Sequence, residues 1–82
     1  MLKIIIVRDI KANAYANPMF AASIGGTIRG FADEINKGDG NPLALHPEDY
    51  ELYLFGEYDE QKGEFILLPK PEQIALGSNL KK

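Results

Sequence analysis

The residues of this chain that could do chemistry are few and poorly matched to one another. His46 is the only histidine, and cysteine is absent. Without cysteine no disulfide braces the fold, and no thiolate can hold a metal or attack a substrate. A lone histidine makes neither a zinc site nor a nucleophilic triad, because both need partners that converge on it, and no spacing supplies them. It reads as a surface turn residue. Glu48, Asp49, Glu51 and Glu57 lie near it in sequence without the spacing of a calcium loop. They read as a solvated rim and strand edge. A carboxylate pair for glycoside chemistry needs a cleft that so small a sheet rarely offers.

The run Ser23-Ile24-Gly25-Gly26-Thr27-Ile28-Arg29-Gly30 is the one chemically suggestive stretch. Glycines at a helix start, with Ser, Thr and Arg, could cradle a phosphate on free N–H groups. The spacing matches neither a Walker loop nor the dinucleotide fingerprint. The simpler reading is an N-cap followed by glycines that let the helix sit close to a strand. These readings describe a protein that is not an enzyme and takes no metal and no small-molecule cofactor.

The charge balance narrows the partners. Nine Lys and Arg face twelve Asp and Glu, for a net charge of −3. Phosphate neutralisation supplies most of the affinity of duplex-DNA binders, so an acidic chain argues against general DNA binding. A local basic set is still available for nucleic acid in Arg8, Lys11, Arg29 and Lys37, at strand and helix ends. The longest early apolar run, Ile4 to Val7, is far short of the roughly 20 residues that span a bilayer. No membrane or export segment is expected.

The elements that must position these residues follow from patterning. Leu2 to Arg8 is rich in β-branched residues and reads as a strand. Met19 to Ala22 reads as a short second one. Ile24, Ile28, Phe31, Ala32 and Ile35 recur at helical spacing, so Ser23 to Lys37 reads as an amphipathic helix, capped by Ser23 and stopped at Gly38. Tyr50 to Tyr58 and Glu64 to Leu68 read as a hairpin closed at Gly63. Pro69 and Pro71 are expected to end the pairing, and Glu72 to Leu76 to make one helical turn. The expected architecture is α+β: one helix on a three- to four-stranded antiparallel or mixed sheet, in the order β-(β)-α-β-β. Residues 1–69 form the domain, and 70–82 a partly mobile C-terminal segment.

One helix covers one side of a sheet, yet these strands are apolar on both. Strict alternation sets Ile5 and Val7 against Leu2, Ile4 and Ile6. It sets Tyr53 and Phe55 against Tyr50, Leu52, Leu54 and Tyr58, and Phe65 and Leu67 against Ile66 and Leu68. We assign Ile5, Val7, Tyr53, Phe55, Phe65 and Leu67 to the bare face. An exposed apolar patch of this extent marks an interaction surface. Its cover is a second copy, making a homodimer, or the chain's own C-terminal segment, or a different protein or nucleic acid. The strand aromatics could also stack single-stranded bases, but Glu51 and Glu57 flank them and repel phosphate.

The order of these pieces resembles a known family. A strand ending Val7-Arg8-Asp9 is followed by Tyr15, Pro18 and Phe20, then by Arg29-Gly30-Phe31 within the helix. His46-Pro47-Glu48-Asp49-Tyr50 then leads to Leu54-Phe55-Gly56-Glu57-Tyr58-Asp59. Over residues 1 to about 69 this resembles the small non-structural protein of gokushovirus-type microviruses, which are single-stranded DNA phages. The resemblance implies a protein outside the mature virion, acting in the host bacterial cytoplasm. By analogy with a coliphage factor, it implies a part in the switch to single-stranded genome synthesis, beside single-stranded DNA or a phage replication protein. A scaffolding role in capsid assembly is the alternative.

Overall fold

A computed structural model describes all 82 residues. Strand β1 (Leu2–Asp9) runs through the middle of an antiparallel sheet. Two short strands, β2 (Ala14–Tyr15) and β3 (Met19–Ala21), share one of its edges. Helix α1 (Ile24–Ile35) follows, then a single turn α2 (Pro42–Leu45) and a 3-10 turn at Pro47–Asp49. Strand β4 (Tyr50–Asp59) pairs with the other edge of β1, and β5 (Glu64–Leu76) pairs with β4. A last turn, α3 (Gly77–Leu80), closes the chain against the 3-10 turn and α1. The sheet therefore reads β2/β3, β1, β4, β5, and the α+β class holds.

The helix begins where its cap dictates. The Ser23 hydroxyl accepts from the Gly26 N–H at 3.0 Å, satisfying a donor that the first turn leaves free. Its apolar stripe then packs Phe31 and Ile35 onto Ile5 of β1 and Leu52 of β4. Ile5, Ile35 and Leu52 are fully buried, and each such side chain contributes roughly 1.5–3 kcal/mol. Val7, Ile24, Ile28, Tyr50, Leu54 and Ile74 ring this cluster. This corrects the expected face assignment: Ile5 lies at the centre of the core, and Val7 packs against it. Ile4 and Ile6 are the isoleucines of β1 that turn to the other side.

A bulge in β4 alters the alternation. Ile4 pairs with Gly56 and Ile6 with Tyr53, so β4 spends an extra residue, Phe55, between them. The parity inverts there. Tyr58 consequently joins Tyr53 and Phe55 on one face, where strict alternation would have put it opposite. Gly56 makes the bulge possible: its φ is +152°, and a Cβ would press into the Ile66 carbonyl and within 2.8 Å of Leu67 Cα.

Strand β5 also departs from expectation. It does not end at Leu68 but runs to Leu76, and no helical turn forms over 72–76. Its pairing with β4 is interrupted between Leu67 and Glu72, the stretch that holds Pro69 and Pro71. An edge strand tolerates this, because one side of it makes no ladder bonds. Beyond it, Gly77 packs so tightly on the backbone of Pro47 and Tyr50 that a Cβ would collide with the Pro47 carbonyl oxygen and crowd that of Tyr50. Asn36 donates to the carbonyls of Ala32 and Leu80 at 2.8 and 2.9 Å and accepts from the Lys82 N–H. One side chain thereby joins the helix end to residues 80–82.

Candidate interaction face

The side of the sheet away from α1 carries six of the eight aromatic residues. They gather in two groups over Ile4 and Ile6. In the first, Tyr15 of β2 meets Tyr53 at 6.1 Å and Phe55 at 5.6 Å between ring centroids, both edge to face. In the second, Phe20 of β3 lies 5.7 Å from Tyr58, and Phe65 of β5 lies 5.0 Å from Tyr58. Register explains the grouping. Tyr15 sits across from Arg8, Phe20 across from Ile4, and Phe65 across from Tyr58. Edge-to-face pairs contribute about 0.5–1.5 kcal/mol beyond burial, so the rings hold one another in place.

Tyr53, Phe55 and Tyr58 are half-buried among the rings, whereas the outer members of the face are open to solvent. Tyr15 and Phe20 are each 50% exposed, Phe65 is 61% and Leu67 64%. Only nine of the 82 residues are buried. The accessible surface is 5283 Å², against roughly 4,900 Å² for a compact monomer of this mass. The excess is what a bare sheet face and an extended hairpin produce.

Polar groups occupy one end of the face and satisfy one another. Arg8 donates to Glu51 at 3.3 Å and to Asn13 at 3.0 Å, and its guanidinium lies 5.9 Å from the Tyr15 ring centre. Tyr53 and Gln73 also donate to Glu51. The Arg8 charge is thus matched locally by the Glu51 carboxylate. The other expected basic residues lie elsewhere. Lys11 is exposed in the turn after β1, and Arg29 is exposed on α1, the element covering the opposite side. Lys37, beyond the helix end, lies 3.5 Å from Glu34 and 3.7 Å from Asp39. The fold does not gather these four into one patch.

The expected apolar residues divide. Tyr53, Phe55, Phe65 and Leu67 are on the open face, whereas Ile5 and Val7 are under the helix. Tyr15, Phe20 and Tyr58 were missing from the expected set. A glycine in the middle of an apolar strand, at Gly56, is the signal that would have placed Tyr58, since such a glycine often marks a bulge. His46, just before the 3-10 turn, lies beside Glu48 and Asp49 of that turn, its Nδ1 3.7 Å from the Glu48 carboxylate. Both side chains of that pair are more than half exposed.

Fold and face together define a small α+β domain whose sheet is roofed by a helix on one side and bare on the other. No helix in it is long and apolar enough to cross a membrane. The chain belongs to the phage family described as Phage ORF5 protein, whose model matches residues 2–80. The match confirms a phage protein, and the narrower microvirus resemblance is compatible with it. It also runs past residue 69, as β5 does. No curated protein and no solved structure matches the chain.

Proposed function

We propose that this protein is a non-enzymatic accessory factor of phage single-stranded DNA replication or packaging, working in the host cytoplasm as a homodimer joined through its open sheet face. The aromatic clustering on that face carries the reading. Six rings and Leu67, standing on a sheet with no helix above them, form a surface that water covers poorly. The charges at its edge are internally paired and offer no surplus cation, so a protein surface suits it better than a phosphate backbone. A second copy brings the same rings and the same neutral edge, related by a two-fold axis.

Light scattering at micromolar concentration tests the dimer. Leu67→Glu, at a solvent-exposed position, should yield a folded monomer; a parent that is already monomeric would defeat the reading. In infected cells the same variant should accumulate duplex phage DNA at the expense of single-stranded genomes. Normal genome synthesis with defective particles would move the role to capsid assembly.

A further inference from the structure

A glycine inside a helix costs stability, and the fold normally accounts for it by close backbone approach or positive φ. Gly30 has neither. It lies within α1 on ordinary helical backbone, and a Cβ there would meet no atom within 4 Å. Gly25 shares that openness but borders nothing. Gly30 instead borders an apolar, solvent-open cavity of about 300 Å³ on the helix side of the sheet. Val7, Met19, Phe31 and Leu43 wall it, and Thr27 and Glu34 stand with Gly30 along its helical rim. These three recur at spacings of three and four, so one stripe of α1 forms that rim.

The polar groups on the rim fix what fits. The Thr27 hydroxyl gives its proton to the Ser23 carbonyl at 2.9 Å, leaving only its lone pairs to a ligand. The Glu34 carboxylate is an acceptor as well. Lys37 is shared between Glu34 and Asp39, so the three groups carry one net negative charge. A complementary occupant has an apolar body and a cationic donor. We propose that this cavity docks a segment of another protein through one large apolar side chain with a Lys or Arg beside it. The apolar side chain fills the space Gly30 leaves open, and the cation pairs with Glu34. The chain's net charge of −3 favours approach of such a basic segment.

The experiment is a selection of random short peptides on the full-length protein, with the Gly30→Leu variant as counter-bait. Enriched peptides should carry Leu, Met or Phe next to Lys or Arg. Synthetic copies should bind the Gly30→Leu variant about tenfold more weakly and lose affinity again with Glu34→Gln. Their amide shifts should fall on Thr27, Phe31, Glu34 and Leu43. Because its Cβ enters open space, Gly30→Leu should melt at or above the parent temperature, which separates lost docking from unfolding. Equal binding by parent and variant, acidic peptides, absence of any enrichment, or shifts confined to Tyr15, Phe20 and Phe65 would each overturn the assignment. Gly30→Leu should keep the association state of the parent, so this test and that of the aromatic face fail independently.

Discussion

The two faces of the sheet use similar residues to different ends. Under α1, the aliphatic side chains of Ile5, Leu52 and Ile35 interlock and are lost to water. On the other side, rings lean on rings, and the outer ones, Tyr15, Phe20 and Phe65, keep half or more of their surface wet. The first arrangement stabilises the fold, because burial is complete and any lost volume leaves a cavity. The second contributes modestly through ring contacts and leaves its remaining apolar area unused until something covers it. On the proposed reading, stability and association lie on opposite sides of one sheet, and substitutions should separate them.

The largest expected effect is on the covered side. Leu52→Ala should cost about 2–5 kcal/mol by denaturant titration, a large share of what so small a domain possesses. A loss under 1 kcal/mol would mean that the core does not lie where α1 meets β4. Next comes the boundary between the faces. Gly56→Ala should cost about 1–3 kcal/mol, since its methyl group collides with the β5 backbone. It should also disturb the Tyr58 and Phe65 ring environment in near-ultraviolet dichroism; an unchanged spectrum would deny the bulge its role. Phe65→Ala, on the open side, should change monomer stability by about 1 kcal/mol or less while weakening self-association.

The smallest effect is one of pH. Tyr50 lies at the edge of the core, and burial pushes its phenol above the ordinary value of 10, helped by the carboxylates of Asp9 and Asp49. The unfolded chain then ionises first as pH rises through 10, the folded state holds more protons, and stability falls on the alkaline side. Tyr50→Phe should flatten that alkaline decline in melting temperature. An identical decline in the variant would place its origin elsewhere.

Much of this arrangement was legible in the residues. The isoleucine run marked β1, the spacing from Ile24 to Ile35 marked α1 together with its Ser23 cap, and Gly63 marked the hairpin turn. The existence of a bare apolar face followed from counting. Its membership did not. Alternation separates Ile5 from Ile4 and Ile6, but three identical side chains do not say which set the helix will choose. Phe55 shifts the parity of half a strand, and that shift depends on a backbone fit between Gly56 and Ile66 that spacing cannot express. The glycines were misread in an instructive way: Gly25 and Gly30, expected to admit close helix packing, stand in open space, while Gly56 and Gly77 are the ones pressed against neighbouring backbone.

The two prolines of β5 bear on behaviour at high concentration. A long, exposed, apolar strand margin invites copies to add side by side without end, the route to fibres. Pro69 and Pro71 each lack a hydrogen to donate, and Lys70 between them brings a charge. They divide this margin into two short stretches, Glu64–Leu68 and Glu72–Leu76, so a copy adding along it meets no long uninterrupted ladder.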